Sequence, residues 1–266
     1  KRFGPIAVDA GVVVVDNSSA FRMTDGVPLV VPEVNPESIG HSGIGLGASG
    51  QPGIIANPNC STIIMLVPVT PLHRAVGVDR MVISTYQAAS GAGAAAMIEL
   101  ETQAREYVEG RKRLTTDIFG QQYIFNVFSH DSDIGPDGYN TEETKMVNET
   151  RKIWNAPTVR VSATCVRVPV LRAHAEAINL TFQGRLSESD ALALLSAAPG
   201  VSIIDDRQAN RFPTPVDASG KDDVYVGRIR ADHSQEDGRG LDMFICADQI
   251  RKGAALNAVQ IAELLL

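Results

Sequence analysis

Cys60 ends the polar turn Asn57-Pro58-Asn59-Cys60, which separates two apolar stretches of the chain. Residues 53–56 predict a short buried strand, and residues 61–76 predict an apolar helix. The thiol is therefore expected at a helix N-terminus beyond the carboxyl end of a strand, where ligands of open α/β sheets bind. The partial positive charge of a helix N-terminus favours a thiolate, which is the reactive form of cysteine. The pattern predicts a nucleophile, and the ordinary alternative is a small buried cysteine.

His174 is the second residue whose type suits proton chemistry, because an imidazole titrates near neutral pH. The ordinary alternative is a histidine at a strand edge that makes a local hydrogen bond. Cys165 and Cys246 lie inside apolar stretches and are expected to be buried and inert. The remaining histidines lack a comparable setting and are expected to be surface or structural residues: His41, His73, His130 and His233.

The composition of the 266-residue chain is that of a globular protein, with 44% hydrophobic and 21% charged residues. Its net charge of −7 gives no reason to expect a nucleic acid or an anionic membrane as partner. Three widely spaced cysteines argue against a disulfide framework and against a metal site, and they favour a reducing compartment. No run of about 18 apolar residues predicts a membrane-spanning helix, and no signal-peptide core predicts secretion.

Apolar periodicity predicts the elements that position these side chains. Strands are predicted at residues 12–15, 53–56, 79–85, 158–168, 174–183, 201–204, 224–229 and 241–247, with an extended piece at 28–32. Helices are predicted at residues 61–76, 90–108, 141–154, 187–197 and 250–266, and loops at 35–53 and 110–140. We expect Pro68 and Pro71 to kink or interrupt the first helix. We expect Thr141 to cap the third helix, and residues 158–183 to form two antiparallel-type strands around Pro169.

The segment Asn-Pro-Asn-Cys-Ser-Thr at residues 57–62 resembles the nucleophile turn of the aspartate-β-semialdehyde dehydrogenase family. Further blocks resemble the same family in chain order: residues 16–23, 84–93, 142–146, 167–176 and 251–258. These blocks span nearly the whole chain, and they are specific together although each is weak alone. The family shares the reaction in which L-aspartyl-4-phosphate, NADPH and a proton give aspartate semialdehyde, NADP⁺ and phosphate. The resemblance implies this activity, within lysine, threonine and methionine biosynthesis.

The order of the elements, together with the resemblance, predicts an α/β fold with two regions. Residues 1–59 are expected to be a remnant of an NADP-binding, doubly wound (Rossmann-type) domain. Residues 60–247 are expected to be a mixed α+β catalytic and dimerisation domain, and residues 248–266 a helix returning to the first region. The family is usually dimeric through the second domain, so a homodimer is expected. The resemblance also implies a bacterial cytoplasm or a plastid stroma as the compartment.

The resemblance assigns the catalytic and substrate-binding roles residue by residue. Cys60 would attack the acyl phosphate to form a thioester, with His174 as acid and base and Gln87 holding the acyl group. Arg167 would bind the α-carboxylate through its guanidinium fork, and Glu142 the amine. Arg22, Asn59 and Lys145 would bind phosphate. Glu142 and Lys145 are three residues apart on a predicted helix, so a solvated salt bridge is the ordinary alternative for that pair.

The resemblance also implies a cofactor site for NADP(H) at Ser90, Gly91 and Gly93, where glycines let a backbone approach a ligand closely. Asn257 would lie near the nicotinamide carboxamide. The family begins with a Gly-x-x-Gly-x-x-Gly turn that holds the cofactor's phosphates, and no such turn occurs upstream of Val12. The resemblance therefore implies that strands and helices of the cofactor-binding segment precede Lys1.

Three other interpretations stay open at this point. An N-acetyl-glutamyl-phosphate reductase shares the chemistry, although Arg167 and the pair of Glu142 and Lys145 suit a free amino acid better. A cysteine hydrolase could use Cys60, His174 and an amide without any nicotinamide. A non-catalytic fragment or assembly subunit could keep a dimer surface without binding cofactor.

Overall fold

The computed structural model describes residues 1–41, 53–235 and 237–266. Most of the loop expected at residues 35–53 and the side chain of His41 lie outside the described residues. Eight α-helices are described in this part of the chain: α1 (Phe3–Asp9), α2 (Ser38–His41), α3 (Cys60–Val76), α4 (Ala94–Val108), α5 (Thr141–Ile153), α6 (Glu188–Ser196), α7 (Pro215–Ala218) and α8 (Leu256–Glu263). Nine strands are described there too: β1 (Val14–Asp16), β2 (Ile54–Ala56), β3 (Val78–Gln87), β4 (Phe128–Ser129), β5 (Arg160–Arg167), β6 (His174–Phe182), β7 (Val201–Ile203), β8 (Val224–Ala231) and β9 (Gly240–Ala247).

The N-terminal region holds the two-stranded parallel sheet β1–β2. Val30 and Ile55 are buried in a cluster with Ile261 of α8, so the last helix packs on this sheet. The strands at residues 12–15 and 53–56 are confirmed with small shifts of their ends. The helix α1 was not predicted, because its apolar residues remain partly or fully exposed and give no buried stripe.

The larger region is built on a seven-stranded mixed sheet of order β4-β5-β3-β6-β9-β8-β7. β3 pairs in parallel with β5 and antiparallel with β6, so it lies between the two long strands expected around Pro169. Those strands do run in opposite directions, but they are not neighbours. The chain crosses from β5 to β6 over the end of β3, and this crossing brings residues 167–174 to the edge where β3 ends.

Helix α3 packs against one face of the large sheet and against α5 and α6. All residues from Ser61 to Thr70 are buried, as is Leu72. The helix is continuous through Pro68 and Pro71, so the expected interruption is wrong. Burial on all sides outweighs the loss of two backbone hydrogen bonds, because tertiary packing overrides local propensity.

Three helix ends differ from the sequence-based expectation. Asn140, not Thr141, caps α5: its side chain accepts from the Glu143 N–H, and the Glu143 carboxylate accepts from the Asn140 N–H. A separate 3₁₀ turn at Ala89–Ala92 precedes α4, and Gly93 breaks the helix there with a φ of 97°. The helix expected at 250–266 begins as a π-helical turn, Arg251–Ala255.

Strand register places the candidate residues in two rows on one face of the sheet. Gln87 at the end of β3 pairs with Arg167 at the end of β5. On the other side of β3, the register places His174 of β6 opposite Gln87. The next row inward contains Thr85 and, opposite it, Glu176. Side chains two residues apart share a face of a strand, so the inner row lies directly behind the outer one.

Glu176 is fully buried, and neither of its carboxyl oxygens has a hydrogen-bond partner among the described residues. Burial and, second, the nearby Glu142 carboxylate raise the pKa of Glu176 well above 4.5. The folded protein therefore keeps this proton at pH values at which the unfolded chain loses it. Folding stability then falls as pH rises above 4.5, by about 1.4 kcal/mol per pH unit until the folded-state pKa is reached.

We expect Glu176→Gln to remove this pH dependence, because the amide has a similar shape and does not titrate. The melting temperature of the variant relative to the unmodified protein should increase between pH 5 and pH 8. The exposed substitution Glu263→Gln is the control and should give a constant difference. A constant difference for Glu176→Gln would show that Glu176 is not a buried neutral acid.

Candidate active site

The candidate residues surround one cavity of about 510 Å³ at the edge where β2 and β3 end. Nine of the twelve residues singled out in the sequence line it: Arg22, Asn59, Cys60, Gln87, Ser90, Gly91, Glu142, Lys145 and Arg167. His174, Gly93 and Asn257 are not among its lining residues. The cavity has charged groups of both signs, which suits a zwitterionic substrate better than an apolar one.

Cys60 is the first residue of α3, directly after the N-cap Asn59, and its side chain lines the cavity. The expected low pKa of the thiol is wrong for the protein alone. Burial has the largest effect and the Glu142 carboxylate the second largest, and together they raise the pKa of Cys60 from 9.0 to about 12. The Ser61 N–H and the Arg167 cation act in the opposite direction but are outweighed. This rise corresponds to about 4 kcal/mol, more than the roughly 0.3–2 kcal/mol that a helix terminus supplies. Cys60 is therefore a protonated thiol in the protein alone.

Glu142 on α5 is the hub of hydrogen bonds in the cavity wall. One oxygen accepts from the Asn59 amide at 2.8 Å and from the Gln87 amide at 3.4 Å. The other accepts from the Lys145 ammonium at 3.1 Å. Burial alone would raise the pKa of Glu142, but Lys145 first, then the charge of protonated His130 and the Asn59 hydrogen bond lower it to about 2. The ion pair of Glu142 and Lys145 is therefore largely buried in the cavity wall and is not a solvated helix salt bridge.

Arg22 is 8% exposed and reaches the cavity from the N-terminal region. Its guanidinium donates to the Asn57 carbonyl at 2.8 Å and to Glu149 at 3.2 Å. The second Glu149 oxygen accepts from the Asn59 N–H at 2.6 Å. This buried arrangement fixes the turn that carries Cys60 to both α5 and the N-terminal region.

Arg167 lies at the end of β5 with 3% of its surface exposed. Its Nε donates to Asp131 at 2.8 Å, and its guanidinium lies over the Phe119 ring. A Cβ on Gly91 would lie 3.0 Å from Nη1 of Arg167. The fork is therefore held in place by Asp131 on one side and faces the cavity beside Gly91.

His174 is fully buried directly beneath Gly91. Its Nδ1 accepts from the Ala88 N–H at 3.0 Å, while Nε2 has no partner among the described residues. Burial and, second, the Arg167 cation lower the pKa of His174 to about 3. The ring is thus neutral, and its hydrogen lies on Nε2, because Nδ1 is occupied as an acceptor.

The residues assigned to the cofactor divide into two groups. Gly91 lines the cavity, and Ser90 beside it accepts a hydrogen bond from Gln249. Asn257 is fully buried, and its amide donates to both the Val30 carbonyl and Asn57. No amide hydrogen of Asn257 remains for a ligand, so the expected contact with the nicotinamide is not available in this structure.

Nine further described residues line the cavity, and His130 and Gly253 are the two whose contacts bear most on the site. His130 was expected to be a surface or structural residue but lines the cavity. Gly253 lies so close that a Cβ on it would be 3.1 Å from Cβ of Cys60. No periodicity reveals either of them, although Gly253 lies within the C-terminal block of residues 251–258.

Among the described residues, no group of three or more His, Cys, Asp and Glu side chains is placed to hold a metal ion. None of the described helices is both long enough and apolar enough to cross a membrane.

Two family models match the chain. The semialdehyde dehydrogenase dimerisation domain matches residues 69–252, and the semialdehyde dehydrogenase NAD binding domain matches residues 1–42. Aspartate-semialdehyde dehydrogenases from Synechocystis and Aquifex aeolicus are 53% and 48% identical over the whole chain, which covers 75% and 76% of them. The chain belongs to the aspartate-semialdehyde dehydrogenase family.

Solved structures of this family have the same fold. Aspartate semialdehyde dehydrogenase II of Vibrio cholerae, complexed with ASA, superposes with a TM-score of 0.91 at 44% identity. The match covers 99% of this chain and 75% of that one. The enzyme of Candida albicans with NADP superposes with a TM-score of 0.71 at 28% identity, over 99% of this chain and 73% of that one. The expected α/β fold with a mixed second domain is confirmed.

Gly91→Ala tests whether the close packing at Gly91 sets the site geometry. The new Cβ would lie 2.8 Å from the His174 ring and 3.0 Å from the Arg167 guanidinium, so one of them must move. We expect kcat/KM of the full-length enzyme to fall by about tenfold or more with little change in melting temperature. Gly40→Ala is the control, because a Cβ on Gly40 meets nothing within 4 Å. Equal activity of both variants would contradict the prediction.

Glu142→Gln tests the cause of the high thiol pKa. Removing the anion lowers the pKa of Cys60, so alkylation by iodoacetamide at pH 8 should become severalfold faster, even though substrate turnover is lost. Cys165 and Cys246 are buried, and Cys60→Ala supplies the background rate. An unchanged rate would mean that burial alone controls the thiol.

Proposed function

We propose that this chain carries the catalytic and substrate-binding residues of an enzyme that reduces L-aspartyl-4-phosphate to aspartate semialdehyde, with release of phosphate. One observation carries the proposal. Cys60 begins a helix on a cavity whose wall also holds a carboxylate at Glu142 and cations at Arg167 and Lys145. A nucleophile, an ammonium-binding group and anion-binding groups in one small cavity match an amino acid with an activated side chain.

Cys60 is the proposed nucleophile. The sulfur attacks the acyl carbon of the acyl phosphate, the C–O bond to phosphate breaks, and a thioester forms on Cys60 while the thiol proton leaves with the phosphate. The Gln87 amide, which donates to Ser61 at 3.2 Å, is held next to the first turn of α3. A neutral amide in this place orients the acyl group without adding charge next to the sulfur.

Glu142 and Arg167 are proposed to recognise the amino-acid end of the substrate. The Glu142 carboxylate is ionised and buried, so it binds an ammonium strongly, whereas an N-acetylated amine would leave this anion without a new cation. This argues for aspartate over N-acetyl-glutamate. Arg167 binds the α-carboxylate through the part of its fork that Asp131 leaves free.

Lys145, Arg22 and Asn59 are the proposed phosphate site. Lys145 is the best placed of them. Within the part of the chain that the structure describes, its ammonium makes one hydrogen bond, to Glu142, and its side chain is 30% exposed. The Arg22 guanidinium already donates to Glu149, so it contributes mainly positive potential. The Asn59 backbone N–H donates to Glu149 and its amide to Glu142, so Asn59 contributes mainly a fixed turn.

His174 is proposed to act on the oxygen at the acyl carbon. Its neutral ring carries hydrogen on Nε2 and donates a hydrogen bond to this oxygen as it gains negative charge. The ring keeps this hydrogen, since its loss would leave an imidazolate, and the hydrogen bond from the Ala88 N–H to Nδ1 holds the ring in this state.

NADP(H) is the proposed cofactor, and it supplies the hydride that reduces the acyl group. The fit rests on Gly91, whose backbone has no side chain between it and the cavity, and on Ser90 and Gly93 beside it. Gly93 adopts a φ of 97° and has open space where a Cβ would lie. Asn257 is not included, because its amide is fully used inside the protein.

The remaining organisation follows from the family membership. Residues 1–59 are proposed to belong to the cofactor domain, residues 60–247 to the catalytic and dimerisation domain, and residues 248–266 to the returning helix. The family-model matches at 1–42 and 69–252 support this division. We propose a homodimer in lysine, threonine and methionine biosynthesis, in a bacterial cytoplasm or a plastid stroma.

Cys60→Ala in the full-length enzyme tests the proposed chemistry. NADP⁺ reduction with aspartate semialdehyde and phosphate should fall by at least about a thousandfold, because the covalent intermediate cannot form. The melting temperature should change by no more than a few degrees. Ester hydrolysis without nicotinamide turnover by the unmodified enzyme would support a cysteine hydrolase instead. Near-normal turnover by the variant would refute the nucleophile.

A further inference from the structure

His130 follows strand β4 and lies inside the cluster of charged residues that surrounds the cavity. Its backbone N–H donates to the Cys165 carbonyl at 2.9 Å, which fixes it to the end of β5. Its side chain is only 10% exposed and lines the cavity together with Arg167 and Glu142. No role for this ring follows from the proposed chemistry above.

The hydrogen bonds of His130 determine which ring nitrogen carries the hydrogen. Nδ1 accepts from the Ser132 N–H at 3.2 Å and lies 3.1 Å from the Ser132 hydroxyl. That hydroxyl oxygen accepts from the Glu142 N–H, so its own hydrogen is free to point at Nδ1. With Nδ1 occupied as an acceptor, the neutral ring carries its hydrogen on Nε2. Nε2 has no partner among the residues that the structure describes.

The surrounding charges agree with a neutral ring. Burial and, second, the Arg167 cation lower the pKa of His130, with Lys145 acting in the same direction and Glu142 and Asp131 opposing. Asp131 lies 3.8 Å from Nδ1, but the same carboxylate oxygen is bound to Arg167 at 2.8 Å. The ring is therefore a neutral donor at neutral pH and not half of an ion pair.

We propose that His130 is a further substrate-binding residue, which donates a hydrogen bond from Nε2 to the α-carboxylate that Arg167 binds. This proposal rests on the proposed function of the cavity. A carboxylate has two oxygens, and an arginine can bind both through two parallel hydrogen bonds. Nε of Arg167 already donates to Asp131, so the two-bond contact that uses Nε is closed to the substrate. A second donor next to the fork completes the recognition of the carboxylate and adds no charge to the site.

Two substitutions separate the cavity donor from the structural contact. His130→Asn keeps a polar group near the position of Nδ1 but is too short to reach the cavity. His130→Gln places an amide N–H near the position of Nε2. In the full-length enzyme we expect His130→Asn to raise KM for aspartate semialdehyde by about tenfold or more, since a hydrogen bond to a charged group is lost. KM for phosphate should stay within about twofold, and His130→Gln should recover most of the loss.

3-Aminopropanal, which is the substrate without its α-carboxylate, provides the decisive comparison. Its kcat/KM should be the same for the unmodified enzyme and for His130→Asn, because the contact that the variant lacks is with the missing group. His233→Asn, an exposed histidine substitution, should change nothing with either aldehyde.

Each contrary outcome has a distinct meaning. An equal loss with both aldehydes, or a rise confined to KM for phosphate, would overturn the carboxylate contact. An unmodified enzyme without NADP-dependent oxidation of aspartate semialdehyde would overturn the proposed function itself.

Discussion

The buried carboxylate of Glu142 is the interaction on which the arrangement of the site depends. It joins α5 to the first turn of α3 through Asn59 and to the end of β3 through Gln87. An ionised carboxylate at this depth is stable only because Lys145 and the two amides compensate for the lost hydration. The same anion raises the pKa of the Cys60 thiol. Glu142 thus helps to hold the turn before Cys60 and, after burial, is the largest cause of the raised pKa of the thiol.

This coupling suggests how the thiol is activated under the proposed function. An ammonium group bound at Glu142 offsets the anion that opposes ionisation of Cys60. The Ser61 N–H and Arg167, which already favour the thiolate, then act with less opposition. The sulfur would therefore become more acidic when an amino acid occupies the cavity and stay protonated when the cavity holds only solvent. A protonated thiol is poorly reactive toward oxidants and other electrophiles, so this order also protects the resting enzyme.

Much of the fold was predictable, and the failures have physical causes. The strand, turn and helix around Cys60 follow from local periodicity and turn residues, and the structure has all three. The continuity of α3 through Pro68 and Pro71 was not predictable, because burial against a sheet formed by residues far along the chain decides it. Most of the site residues that the resemblance implied line one cavity. The raised pKa of the Cys60 thiol could not be predicted, because Glu142, which contributes to it, comes close to Cys60 only through tertiary packing. The spacing of residues in the sequence predicts neither the burial of Asn257 nor the position of His130 in the cavity wall.

The two histidines next to Arg167 share a feature that only the coordinates reveal. In each ring Nδ1 accepts from a backbone N–H, that of Ala88 for His174 and that of Ser132 for His130. A backbone donor cannot rotate away, so protonation of Nδ1 would cost a hydrogen bond as well as the repulsion of the Arg167 cation. Both rings are therefore held neutral with hydrogen on Nε2. Fixed neutral donors next to a buried cation provide directional hydrogen bonds while leaving the balance between Glu142, Lys145 and Cys60 unchanged.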